Sequence, residues 1–362
     1  MHRILLALEW YDHRIHRGVA RVAARCGWHL DCPSGQPGFD PVPRGWRGDG
    51  AITLLSDRWM RRLRRRRIPL VDFGLSARAG VPRIVVDNHA AAALAYAHLR
   101  ERGWRRFACM TLPGSRMYAE RAEAFAAHCA SEGFACPQWS DADLRRHLRR
   151  SAPLAVFAVQ DALGAEAIAT AIDLGLRVPD EVAILGVDDC DLICEALSVP
   201  LASVDTEQEG LGEAVAQRLA LILSGSIDRG DLRRHPPRGV VSRASAEALG
   251  TDHPGLRAAL ALARREPACG VRALAQAAGL SPQGLDRVCR RDLGVNPGTL
   301  LRRLRIAEGL RLQAEGWALR RIADHLGVAS TSGLCALLRR HGRSRPVSPA
   351  SGRRSRARAP AR

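Results

Sequence analysis

Two apolar patterns in the last hundred residues constrain this chain more than any other feature. Val271, Leu274, Ala275 and Ala278 recur at i, i+3, i+4 and i+7, which gives a short helix one apolar face. Gly279 supplies a chain reversal, Ser281 a natural N-cap and Pro282 a first helical residue. Leu285, Val288 and Cys289 then face inward on a second helix. The pattern repeats between Ala318 and Leu338. Leu319, Ile322, Ala323 and Leu326 form its first face, Gly327-Val328-Ala329-Ser330 its turn, and residues 331–340 its second helix. A longer helix over about 297–315, carrying Leu300, Leu301, Leu304, Ile306, Ala307, Leu310 and Leu312, links the two. These are tandem helix-turn-helix patterns.

Charge concentrates in the same region. Residues 251–362 hold 22 Arg against 7 acidic residues, a net of +15, whereas residues 1–250 carry only +3. A basic surface carrying helix-turn-helix units suits a polyanion, and double-stranded DNA is the expected partner. The chain has no Lys, so every fixed cation is a guanidinium fork suited to phosphate and guanine edges. In the first motif Gln283, Asp286, Arg287 and Arg290 face outward, where they can enter a major groove. Arg287 can fork onto guanine or hold a phosphate, and Asp286 can accept from cytosine or orient an Arg. The alternative, a plain three-helix unit with a solvated basic face, fits one such pattern better than two joined by a helix.

Residues 1–225 alternate short aliphatic runs with helical patterns. Strands are expected at Ile4–Leu8, Ala51–Leu55, Pro69–Phe73, Ile84–Val86, Arg106–Leu112, Leu154–Val159, Val182–Val187 and Leu201–Val204, with helices between most of them. Continuous aliphatic strands between helices indicate parallel sheets covered on both faces. The number of units is too large for one small sheet, so two lobes are expected. Gly225–Arg238 reads as a loop and Gly239–Ser242 as a final strand. The domains expected are an α/β two-lobed domain over 1–245, an all-α tandem helix-turn-helix domain over 252–346 and a disordered basic tail over 347–362.

The ten Cys show no CxxC pair and no His/Cys metal spacing, and read as small buried hydrophobes in a reducing compartment. Ile4–Leu8 is too short for a signal peptide, and no apolar run approaches the roughly 20 residues a membrane helix needs. The expectation is a cytoplasmic protein without membrane, metal or cofactor. A Gly-rich phosphate loop and a nucleophile elbow are both missing, which argues against the alternative of an α/β sugar-modifying enzyme fused to a DNA-binding module. Polar residues instead recur just past strands: Glu9, Asp87, Gln160-Asp161, Asp188-Asp189 and Asp205. In open α/β sheets ligands bind there, and carboxylates and amides can hold sugar hydroxyls while Trp10 and Tyr11 offer ring faces. Any single Asp at such a place is more simply a helix N-cap.

The stretch Ser281–Pro297 resembles the first recognition helix and following turn of the AraC/XylS family, over a domain spanning about 255–346. That resemblance implies two recognition helices in successive major grooves, with Gln283, Asp286 and Arg287 facing bases in the first and Thr331, Ser332 and Cys335 in the second. Val328, Leu334 and Leu338 stand where the family carries aromatics, and the closing Tyr is missing. The second half is therefore expected to hold mainly phosphate. Residues 154–165, 182–189 and 201–205 resemble the lac-repressor-type sugar-binding domain of the periplasmic-binding-protein fold. The likeness spans about 3–245 and implies a hinged two-lobed cleft with Arg121, Gln160, Asp161 and Asp188 as ligand contacts. The two together, with Tyr11-Asp12-His13-Arg14 after the first strand and Trp46–Ile52, resemble the arrangement of xylose-operon regulators. In that arrangement the loop bearing Trp10, Tyr11 and Asp12 supplies a cleft wall. The implied function is a dimeric, sugar-responsive transcription activator that works with RNA polymerase and binds xylose or a related pentose. A repressor and a nonspecific DNA-binding protein are the alternatives.

Overall fold

The computed structural model describes residues 1–34, 40–74, 80–226, 232–251, 253–314 and 316–339. The basic tail expected over 347–362 lies outside these residues. The chain divides into two compact units, residues 1–252 and 253–362.

The first unit contains two six-stranded sheets. The chain begins in the first lobe with β1 (Arg3–Leu8), α1 (His13–Cys26), β2 (His29–Asp31), β3 (Gly50–Leu54), α2 (Asp57–Arg64), β4 (Leu70–Asp72) and β5 (Arg83–Val86). It crosses at Asp87 into the second lobe: α3 (Asn88–Glu101), β6 (Phe107–Met110), α4 (Arg116–Ser131), β7 (Gln138–Trp139), α5 (Asp141–Ser151), β8 (Leu154–Ala158), α6 (Asp161–Asp173), β9 (Val182–Val187), α7 (Asp191–Cys194) and β10 (Ala202–Asp205). It returns at residues 206–207 to the first lobe for α8 (Gln208–Leu223) and β11 (Leu232–His235), then crosses a third time to β12 (Gly239–Val241). The sheet orders are β11-β5-β4-β3-β1-β2 and β12-β10-β9-β8-β6-β7. All pairings are parallel except β12 on β10. Three crossovers between two sheets make a hinge.

The alternation of side chains along β1 explains how the first sheet is covered on both faces. Ile4, Leu6 and Leu8 pack with Ile15 and Val19 of α1 and with Leu211, Val215 and Leu219 of α8. Leu5 and Ala7 face the other way, toward Met60 and Leu63 of α2. Helices α1 and α8 approach so closely that a Cβ on Gly18 would overlap the Glu209 carbonyl, and one on Gly212 the Ile15 carbonyl. The second lobe has one large core around Phe107, Phe125 and Phe157, the last two stacked with centroids 4.4 Å apart.

One expectation is corrected here. Residues 225–238, read as a loop, contain strand β11, which extends the first sheet beside β5 in parallel register from Leu232 against Arg83 to His235 against Val86. Its sequence, Leu-Arg-Arg-His, carries no apolar alternation because it is an exposed edge strand.

The second unit is all helical: α9 (Pro254–Arg265), α10 (Val271–Ala277), α11 (Pro282–Leu293), α12 (Pro297–Ala314), α13 (Leu319–His325) and α14 (Thr331–Arg339). The turn between α10 and α11 uses Gly279 at φ 63°, and the Ser281 hydroxyl accepts from the Gly284 N–H at 3.1 Å. Helix α12 is tied to the first module through Arg305, which donates to the carbonyls of Pro267, Ala268 and Cys269 at 2.9, 3.2 and 2.9 Å. Leu312, Ile322, Ala323, Leu326 and Leu334 form the core of the second module, with Trp317, Val328 and Leu338 against it. Aliphatic residues thus fill the places the AraC/XylS likeness assigns to aromatics. Three assignments to the apolar faces fail: Leu310 and Leu319 are 44% and 39% exposed, and Ala307 is exposed as well. Gly309 takes the inward position beside Leu310, against Leu326 and Leu338.

Candidate ligand cleft and DNA-reading helices

Most strand ends of the first sheet point toward the hinge, and the loops that follow them form one wall of a crevice of about 590 Å³. Glu9, Trp10, Leu54, Ser56 and Gly74 line it from the first lobe, and Gly114, Ser115, Arg116 and Met117 from the second. Trp10 is 51% exposed on this wall. The Glu9 carboxylate is occupied by the Ser56 N–H and hydroxyl at 2.5 and 2.9 Å. Ser115 caps α4 by accepting from the Tyr118 N–H, so the same helix runs from the crevice into the polar cluster beneath it.

That cluster centres on Arg121, whose side chain is 1% exposed. Its Nε donates to Asn88 Oδ1 at 2.8 Å, Nη1 to the Val159 carbonyl at 2.7 Å and Nη2 to Asp188 Oδ1 at 3.0 Å. Asp188 Oδ1 also accepts from Thr206 Oγ1 and Gln208 Nε2, both at 3.3 Å. Gln160 Oε1 accepts from the Tyr118 hydroxyl at 2.6 Å, and burial raises that phenol's pKa, with the Asp188 charge adding to it. A guanidinium, a carboxylate, three amides, a threonine hydroxyl and a phenol thus meet where the crossovers pass. Such a set can both donate to and accept from vicinal hydroxyls.

Arg14 bridges the lobes at this point. From α1 it donates through Nη1 to the carbonyls of Asp188 and Asp189 at 2.7 and 2.8 Å, while Asp12 holds its other edge at 2.8 Å. Asp188 and Asp189 sit at φ 105° and 47°, a conformation that costs non-glycine residues of order 1–3 kcal/mol. The guanidinium from the opposite lobe holds this strained corner. Across the hinge, Arg234 of β11 donates to Glu120 of α4 at 2.7 Å.

Of the seven sequence-selected cleft residues, the structure brings together Arg121, Gln160 and Asp188, and places Trp10 on the crevice wall. It gives the other three different work. Tyr11 turns back onto α1, its hydroxyl 3.1 Å from His16 Nδ1. Asp12 is the N-cap of α1 and the partner of Arg14. Asp161 is 1% exposed and directed into the second lobe, where it accepts from Ser203 Oγ at 2.5 Å and the Cys190 N–H at 2.7 Å. Burial, with the nearby Asp188 charge, raises its pKa to about 7. In this structure both of its oxygens serve the fold of the lobe. Asn88, Tyr118 and Gln208 were missed. Asn88 directly follows Asp87, which caps α3 by accepting from the Ala90 N–H at 3.0 Å.

In the second unit, Gln283 and Arg287 are exposed on α11. Arg290 Nε donates to Asp286 at 2.8 Å one turn away, so Asp286 orients an Arg in this structure. On α14, Thr331 and Ser332 are exposed and Cys335 is half-buried. Among the described residues, no group of His, Cys, Asp or Glu could hold a metal, and no helix is long and apolar enough to cross a membrane.

Fold and site define a ligand-sensing transcription regulator: a two-lobed sensor followed by a tandem helix-turn-helix domain. Residues 96–246 match the periplasmic binding protein-like domain, and residues 274–348 a helix-turn-helix domain. Within that class the order of domains is similar to that of the xylose operon regulatory proteins. It is 26% identical over 324 residues to the xylose operon regulatory protein of Escherichia coli K12, covering 81% of this chain and 82% of that protein. Among solved structures, a xylose-binding transcription activator superposes with TM-score 0.67 at 22% identity, over 95% of this chain and 96% of that one. A dimeric lac repressor superposes with TM-score 0.57 at 17% identity, over 68% of this chain and 99% of that one. At these identities the superpositions speak to fold.

Proposed function

We propose that the chain is a sugar-responsive activator of pentose catabolism genes, with D-xylose or a close relative as effector, acting in the cytoplasm as a homodimer on double-stranded DNA and RNA polymerase. The observation that supports it most is the Arg121–Asp188–Gln160 cluster at the hinge of a two-lobed sensor carried by a helix-turn-helix regulator. In this reading residues 1–245 sense the sugar, residues 252–346 bind DNA and 347–362 are a basic tail. Arg121 donates to a sugar hydroxyl, Asp188 accepts from one, Gln160 and Asn88 hold neighbouring hydroxyls and Trp10 covers the ring. The Arg14 bridge then favours the closed lobes. A sugar shifts this equilibrium only by its differential affinity for the closed state. Gln283, Asp286, Arg287 and Arg290 read or hold DNA from the first recognition helix. Thr331, Ser332 and Cys335 offer a second contact set, weighted toward phosphate.

The test is in vitro transcription from promoters of pentose catabolism genes with the purified chain, with and without D-xylose. The reading expects transcript to rise when both are present. A fall on adding protein, relieved by sugar, makes it a repressor. No dependence on any aldopentose removes the sugar assignment.

A further inference from the structure

The ten residues 58–67 carry seven Arg. Without them, residues 1–250 would have a net charge of −4 rather than +3. One surface of an otherwise slightly acidic sensor is therefore strongly basic. Its geometry is ordered. Met60 and Leu63 are buried on the inner face of α2, and Arg58, Arg61, Arg62 and Arg65 follow at i, i+3, i+4 and i+7 on the opposite face. Arg58, Arg61 and Arg65 are exposed, and Arg62 pairs with Asp40 at 2.6 Å. The guanidinium groups of Arg58 and Arg62 lie 5.1 and 5.5 Å from the Trp59 ring centroid, which limits their freedom. Arg66 donates to the carbonyls of Pro43 and Trp46 and fixes a loop that presents exposed Arg44 and Arg47.

Helix electrostatics do not account for this stripe. Cations favour the last turn of a helix, which suits Arg64 and Arg65, but Arg58 lies in the first turn, where the dipole opposes it. Like charges at i+3 and i+4 also repel. We propose that α2 is a second, sequence-independent contact of this regulator with duplex DNA, its arginines gripping backbone phosphates. The stripe from Arg58 to Arg65 spans about 10 Å along the helix, and that length of duplex axis presents about six phosphates. Guanidinium groups match phosphate by geometry as well as charge. DNA is the occupant because the same chain carries the helix-turn-helix pair, so a bound operator supplies flanking duplex at high effective concentration. This inference rests on the DNA-binding reading above.

The test compares the full chain with its Arg58→Gln/Arg61→Gln/Arg65→Gln variant on a mixed-sequence duplex of about 60 base pairs. Fluorescence anisotropy is read between about 50 and 200 mM salt. Loss of three phosphate contacts lowers the slope of log K against log salt by up to about 2.7, at about 0.9 per contact, and weakens binding tenfold or more at low salt. An unaltered circular dichroism melt shows that the variant folds. If both proteins bind with the same affinity and slope, the inference is wrong. It is also wrong if the variant binds DNA normally but loses transcription activation, which would make the stripe a protein-docking surface. If the wild-type chain binds no duplex at all, the DNA-binding reading itself fails.

Discussion

Asp188 is the residue whose removal reports most clearly on how the sensor is held. Arg121 is buried, and among the described residues Asp188 is the carboxylate that pairs with it; its other two acceptors, Asn88 and the Val159 carbonyl, are neutral. Asp188→Ala therefore leaves a buried guanidinium without a counter-charge, a change that typically costs about 3–5 kcal/mol. It also leaves Thr206 and Gln208 short of an acceptor. For a domain of this size each kcal/mol lowers the melting temperature by about 2–4 °C, so calorimetry of the full chain should show the sensor transition falling by about 6–20 °C. Asp188→Asn keeps an acceptor oxygen for Arg121 and removes only the charge, and its fall should be clearly smaller. An Asp188→Ala protein melting within about 2 °C of wild type, or an Asn variant less stable than the Ala variant, would refute this account of the pair. The corollary is practical: a lost sugar response is interpretable in Asp188→Asn, whereas in Asp188→Ala it is confounded by instability.

Three further outcomes follow from the packing and electrostatics. Gly18→Ala places a methyl on the Glu209 carbonyl and should destabilise the first lobe by about 1–3 kcal/mol, read by urea denaturation; an unchanged midpoint contradicts the α1–α8 contact. Asp161 binds its proton more tightly folded than unfolded, because its pKa is raised to about 7 from 3.8. The folded state therefore holds more protons between those values, so its contribution to stability falls as pH rises from about 4 to 7. Asp161→Asn should flatten that slope in melting temperature against pH, and a slope equal to wild type rules it out. Arg287→Ala should relax preference at one base pair by about 1–3 kcal/mol in a selected-site competition assay; an unchanged affinity and preference removes Arg287 from the reading surface.

The sequence made the long, strongly patterned elements legible: the aliphatic strands β1, β3, β8 and β9, and both helix-turn-helix units with their turns at Gly279 and Gly327. What it hid has physical reasons. Strands β2 and β11 are short edges whose side chains meet solvent, so neither alternation nor hydrophobicity marks them. Helix α5 buries only Leu144 and Leu148 among eleven residues. Leu319 and Leu310 carry the right residue type on the wrong side of a helix, and the inward place beside Leu310 belongs to Gly309, which hydrophobicity does not flag.

The polar cluster was half legible for a similar reason. A carboxylate after a strand looks the same whether it caps a helix, as Asp12 and Asp87 do, or meets a guanidinium from a distant helix, as Asp188 does. Asn88 and Gln208 reach that cluster from just past the first two crossovers, a meeting that no local spacing encodes, whereas Tyr118 lies one turn before Arg121 on α4, where the i, i+3 spacing does carry a signal. The positive φ at Asp188 and Asp189 is likewise invisible in residue types that tolerate but do not require it.

The central claim is that the hinged sensor binds a pentose and that binding alters the grip of the same chain on DNA. Isothermal titration of D-xylose into the full-length protein, with and without a bound promoter duplex, tests both halves at once. The account predicts one saturable site per chain, and linkage requires the sugar affinity to differ between the free and DNA-bound protein by the same factor that sugar alters DNA affinity. No heat with any aldopentose at millimolar concentration, or a sugar affinity identical in the two states, would contradict it.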